Sequence, residues 1–196
     1  MNLIEYLCII LMCIIFLIIF LYLRREYNDI IYVKSDIDNQ IYLVRNLPDK
    51  QQSANLLANI KRNINELSKY LYNNRDEFDE YKLYIEQLDK NIKNMILMES
   101  SENSIYTSYS INKGEEIVFC LRTRTNNKIH DFNLIMYVVL HEMAHVACPE
   151  YGHGELFKKI FAFLTIHAIN IKLYKKIDFS NDPQEYCGMM VTDSII

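Results

Sequence analysis

Tyr6 to Leu23 is an unbroken run of residues from the hydrophobic class. At ~1.5 Å per residue it makes a helix of about 27 Å, enough for one crossing of a hydrocarbon core. A run so uniform does not suit a half-buried core helix, which keeps a polar face. Nor is it flanked like a secretory leader. The opening MNLIE holds no Lys or Arg, and the run ends LYLRREY without a small-residue cleavage site. The pattern predicts a retained transmembrane anchor within residues 1–25. Arg24, Arg25 and Lys34 follow the run and no basic residue precedes it. The positive-inside rule then predicts a single-pass membrane protein whose C-terminal part faces the cytosol.

Beyond the anchor the pattern changes period. Ile30-Ile31-Tyr32-Val33 and Ile41-Tyr42-Leu43-Val44 are short apolar runs, and Pro48-Asp49 opens a helix. Leu56, Leu57, Ile60, Ile64, Leu67 and Leu71 recur at three- and four-residue steps, as do Tyr81, Ile85, Leu88 and Ile92. Both stripes read as packing faces. Residues 26–104 are therefore expected to form a helical N-terminal part, and 105–196 a core. In that core, Ile105–Ile111 and Glu116–Arg122 favour strands, and Asn112-Lys113-Gly114-Glu115 between them is turn chemistry. Thr123 to His130 reads as a polar loop. Asp131 is a suitable N-cap for a helix to about Cys148, Pro149 and Gly152 reverse the chain, and a last helix covers about His153 to Asn170. The fold class expected is α+β: an N-terminal transmembrane helix, then helices plus a β-hairpin or short antiparallel sheet.

Composition narrows the function classes. Lys+Arg 21 against Asp+Glu 25 gives a net charge of −4, so nucleic acid is not an expected partner. Aromatic residues at 12% argue against disorder, and Gly 4, Pro 3 and Cys 5 against collagen-like or disulfide-dense classes. Cys8 and Cys13 lie in the apolar run. Cys120, Cys148 and Cys187 are an odd, widely spaced trio without C-x-x-C, so all five read as apolar filler or free thiols.

One motif carries chemistry. His141-Glu142-Met143-Ala144-His145 is H-E-x-x-H, behind an apolar lead-in from Leu134 to Leu140. On a helix, residues i and i+4 share a face, about 6 Å apart along the axis, so both imidazoles can hold one Zn²⁺. Glu142 can reach a zinc-activated water without ligating, as general base. Chance would put this motif in a chain of such composition about once in a hundred. A catalytic zinc takes three protein ligands plus water. His153 supplies the third, with Pro149 and Gly152 allowing the reversal that brings it back, and Glu150 is the alternative ligand. His130 reads as a solvated loop residue and His167 as a satisfied, partly buried one. For the oxyanion, Tyr186 is the first choice of donor, with Tyr109 and Arg122 behind it. Lys158, Lys159, Lys172, Lys175 and Lys176 read as a solvated basic face.

The segment HEMAHVACPEYGHGELF resembles the active-site stretch of the WLM and SprT-like zinc peptidases. These carry H-E-x-x-H on one helix and a third His near the next, often followed four positions on by an aromatic residue, here Phe157. The whole chain resembles, more closely still, a group of membrane-anchored zinc peptidases of giant DNA viruses. YLVRNLPDK, INKGEEIVFCLR and EYCGM are the further shared stretches, and the AT-rich residue usage suits such a source. The resemblance implies a zincin-like domain over about residues 105–170, a Zn²⁺ cofactor, and a protein or peptide substrate added as a strand beside the cleft near Glu116–Arg122. The chain lacks the C-terminal C-x-x-C ribbon and basic tail of relatives that act on DNA–protein crosslinks. The function expected is a membrane-anchored zinc metallopeptidase, tethered through residues 6–23 to a plasma, endoplasmic-reticulum or virion internal membrane. The alternative is a zinc-stabilised protein-binding module that cleaves nothing.

Overall fold

The computed structural model describes the backbone of residues 3–27 and 29–196, and the side chains of residues 4, 6–21 and 29 onward. Helix α1 covers Leu3–Tyr27. The expected anchor does not survive as such. Among the described residues, no helix is long and apolar enough to cross a membrane. The single-pass, cytosol-facing assignment falls with the anchor.

The rest is a mixed α/β fold. Strands β1 (Ile30–Lys34), β2 (Ile41–Arg45), β3 (Ile96–Glu99), β4 (Ser108–Ile111) and β5 (Glu116–Phe119) form one five-stranded sheet in the order β1-β2-β3-β5-β4. It is not the short antiparallel sheet expected. β1 pairs antiparallel with β2 and β4 with β5, but β2–β3 and β3–β5 are parallel. A parallel neighbour needs a long crossover. Helices α2 (Lys50–Asn73) and α3 (Lys82–Ile92) provide it between β2 and β3. β5, expected beside the cleft, is enclosed between β3 and β4, and the edge belongs to β4.

The apolar stripes of α2 and α3 explain the packing. Leu57, Ile60, Ile64, Leu67 and Leu71 on α2 and Ile85, Leu88 and Ile92 on α3 are all buried in one core with the sheet. Helices α4 (Phe132–Ala147) and α5 (Glu155–Asn170) complete it. Asp131 caps α4 by accepting from the backbone N–H of Asn133 and Leu134, which satisfies two of the donors a helix start leaves unpaired. A small hairpin, β6 (Gln184–Tyr186) and β7 (Met189–Val191), follows α5.

One charge network ties these layers. Glu99 of β3 is 2% exposed and Arg122, past β5, is 3% exposed. Arg122 Nε donates to Glu99 at 2.8 Å, Nη1 to Asp49 at 2.7 Å and Nη2 to Ser53 at 2.7 Å. The other Glu99 oxygen accepts from the Arg45 backbone N–H at 2.8 Å. Two strands, the segment after β5 and the start of α2 thus meet on one ion pair. The hydrogen bond from Arg122 holds the Asp49 carboxyl below the ordinary carboxylate range. Removing one partner of a buried pair leaves the other uncompensated. Arg122→Met is therefore expected to lower stability by about 3–5 kcal/mol in urea unfolding. Pairing it with Glu99→Leu should recover part of that loss. A single-variant loss below about 1 kcal/mol would show that the pair does not hold the layers together.

Candidate metal centre

Helix α4 brings the motif to the core. Of its residues, Leu134 to Tyr137, Val139, Leu140, Glu142 to Ala144, Val146 and Ala147 are buried. That burial fixes the rotation of the helix, so His141 and His145 share the face turned to the cleft. The chain then ends α4 at Cys148 and turns through Pro149–His153. Gly152 sits at φ 80° in open space, so it is backbone conformation, not crowding, that favours glycine there. The turn returns His153 to the other two. Nε2 of His145 lies 3.2 Å from that of His141 and 3.1 Å from that of His153, and His153 lies 3.1 Å from His141.

This triangle suits a metal. Two nitrogens bound at 2.0–2.1 Å to a tetrahedral ion stand about 3.3–3.4 Å apart, close to the spacing found. Burial is the main reason that the His141 imidazolium is disfavoured, with His145 and His153 adding to it, and its pKa is pushed down to about 3. Burial again, then His153 and Lys113, push His145 down to about 4. Both rings are therefore neutral near pH 7, the form that offers a lone pair. Phe157, four residues past His153, backs all three rings, with centroids 5.0, 4.3 and 4.8 Å from those of His141, His145 and His153. Its packing against them holds the rings' orientation. Glu150, the alternative ligand, is outside the donor cluster found among the described residues.

Glu142 is 4% exposed and lines the same cleft. Burial alone pushes its carboxyl up to about 8. A nearby dication would pull it back toward the charged form. The cleft holds about 650 Å³ and is bounded by β4 and its approach (Thr107 to Ser110), the three histidines, Tyr137 and Val138 of α4, and Tyr186, Met189 and Val191 of the small hairpin. Tyr137 is pinned from behind by the C-terminal segment, whose Ile195 backbone N–H donates to its hydroxyl at 3.0 Å.

Of the three oxyanion candidates, Tyr186 and Tyr109 line the cleft and Arg122 does not, being consumed in the Glu99 network. Tyr186 is 2% exposed, and its hydroxyl shares a hydrogen bond of 2.7 Å with Ser108 of the edge strand. Burial raises its phenol, which stays protonated and able to donate. Two other expectations are corrected. His130 is 8% exposed, not solvated, and its Nε2 accepts from the Cys187 backbone N–H at 3.3 Å. Cys120 and Cys187 are not free thiols. They form a disulfide across 67 residues with Cα atoms 6.3 Å apart. Together the disulfide and His130 fasten the β6–β7 turn to the end of β5, which sets Tyr186 against Ser108. Nothing in the spacing of the cysteines signals that pair.

Residues 90–185 match the WLM domain family. Uncharacterized protein R325 of Acanthamoeba polyphaga mimivirus is 48% identical over 179 residues, covering 91% of this chain and 91% of that protein. Uncharacterized protein 136R of Invertebrate iridescent virus 6 is 27% identical over 148 residues, 72% of this chain and 79% of its own. The crystal structure of Wss1 from Saccharomyces cerevisiae shares the fold, with a TM-score of 0.51 at 20% identity over 66% of this chain and 88% of that one.

The cysteine pairing has a direct check. Denatured but unreduced protein should take up alkylating reagent at Cys8, Cys13 and Cys148 only, and at Cys120 and Cys187 as well after reduction, by peptide mass spectrometry. Labelling of all five without reduction would remove the disulfide from the account of Tyr186.

Proposed function

From the premise that the chain belongs to the WLM family, a metallopeptidase-like family, we propose that it is a zinc-dependent peptidase acting on a protein or peptide. The observation that carries this reading is the meeting of three imidazole Nε2 atoms within 3.1–3.2 Å of one another, beside a buried glutamate in an open cleft.

His141, His145 and His153 are the ligands. Zinc, when bound, polarises the substrate carbonyl and lowers the pKa of its water toward 7. Glu142 Oε takes the proton of the attacking water and passes it to the leaving nitrogen. Its buried setting favours the neutral acid in the second half of that exchange, and the cation favours the carboxylate in the first. Tyr186 Oη donates to the carbonyl oxygen as it gains charge, released for that role from its bond with Ser108. β4, as the free edge of the sheet, offers unpaired backbone N–H and C=O groups to an extended substrate, which is β-augmentation. Part of β4 and the three histidines line the same cleft, so an extended backbone on that edge would run beside the metal ligands. The lining of Tyr109, Tyr137, Val138, Met189 and Val191 gives its side chains mostly uncharged surroundings.

Full-length protein is expected to hold one zinc per chain by elemental analysis, lost in His145→Ala and kept in Glu142→Gln. The Glu142→Gln variant should cleave an unfolded protein substrate about 10²–10⁴ times more slowly than wild type. A folded wild type with no zinc would sink the reading. Tyr186→Phe should keep its zinc and lose about 10²–10³ in kcat. Unchanged turnover would return Tyr186 to a packing role.

A further inference from the structure

The turn between β4 and β5 does not run out into solvent. Asn112 and Lys113 take positive φ values of 49° and 57°. Gly114, at φ 104°, lies so near α4 that an added Cβ would come within 2.9 Å of the Val146 side chain. The turn is pressed against the last stretch of the helix that carries His141 and His145. From it, the Lys113 ammonium donates to the carbonyl of Cys148 at 2.8 Å and to that of Glu150 at 2.8 Å. It also stands 4.4 Å from the centre of the Tyr151 ring.

Cys148 is the C-cap of α4. A helix end leaves carbonyls unpaired and carries partial negative charge, so a cation there meets both needs. The two carbonyls also flank the segment that matters most for the cluster. Cys148 lies three residues after His145, and Glu150 three residues before His153. A lysine this close to three metal-ligating imidazoles works against a dication unless its charge is engaged elsewhere. Here two carbonyls and a ring face engage it.

We propose that Lys113 is a positioning residue for the third metal ligand: it clamps Cys148–Tyr151 so that His153 meets His141 and His145. This rests on the zinc reading above. The clamp links the edge strand beside the cleft to the loop that closes the site, through one side chain that also lines the cleft wall.

The test is zinc affinity of the full chain, measured by competition with a chromophoric chelator. Lys113→Met, folded by circular dichroism, should bind zinc at least tenfold more weakly than wild type. Lys113→Gln keeps an N–H donor and should fall between the two. In a His153→Ala background, Lys113→Met should change affinity less than twofold, because there is no third ligand left to position. Affinity within twofold of wild type in folded Lys113→Met would overturn the clamp. So would an equal loss in the His153→Ala background, which would assign the effect to the helix end alone. If Lys113→Met does not fold, Lys113→Gln decides: at least a threefold loss is expected, and wild-type affinity overturns the proposal. A wild type that binds no zinc overturns the zinc reading and the clamp together, whereas tight wild-type binding with unaltered variants overturns the clamp alone.

Discussion

The burial of α4 is the constraint from which the site follows. A helix enclosed by α3, α5 and the sheet cannot rotate, so its i and i+4 histidines have one direction open to them. The same enclosure removes water from the ionisable groups along it. Burial is the main cause that pushes His141 down to about 3 and the one cause that pushes Glu142 up to about 8. Opposite shifts on adjacent residues are what desolvation gives a base and an acid, since each loses its charged form. Packing that holds the fold therefore also prepares the chemistry: neutral nitrogens to ligate, and a carboxyl whose protonation a nearby cation can reverse.

The remaining parts of the site come from far along the chain, and each is fastened by a different interaction. His153 returns through a turn that needs positive φ at Gly152 and is held from outside by the β4–β5 turn. Tyr186 arrives on a separate hairpin and is fastened by the Cys120–Cys187 disulfide and by His130. Both fasteners originate at ends of β5: Lys113 just before it, Cys120 just after it. The strand enclosed in the sheet thus acts as the fixed bar to which both sides of the cleft are attached. β4, outside it, is left free to pair with something else.

Much of this was legible in the residues. The stripes of α2 and α3, the Asp131 cap of α4 and the grouping of His141, His145 and His153 all follow from local spacing, and local spacing is what periodicity reports. The misses share a physical character. β3 is four residues, separated from the end of α3 by three residues and with the same apolar types, too short a run for its period to change visibly. Its parallel partners β2 and β5 are chosen by long-range pairing that no local signal specifies. The β6–β7 turn places Cys187 at φ 52°, where Asn or Asp is usual, so the ordinary turn signal is missing. The first apolar run predicts an anchor by its length, uniformity and flanks, whereas among the described residues no helix is long and apolar enough to cross a membrane.

Two buried glutamates separate structural charge from chemical charge in this fold. Glu99 and Glu142 are 2% and 4% exposed, so burial does not distinguish them. Partners do. Glu99 accepts from Arg122 and from the Arg45 backbone, and its charge is answered from within the chain. Among the described residues nothing comparable answers Glu142, whose shift has burial as its one cause. A carboxyl held in that state is costly to keep unless something from outside completes it. Under the proposed function the three imidazoles beside it supply that completion by holding a cation, which would draw the carboxyl toward its charged form. The Arg122 network, equally buried and paired within the chain, needs no such visitor, so Arg122 belongs to the fold, while Glu142 is the residue the proposed function gives to the reaction.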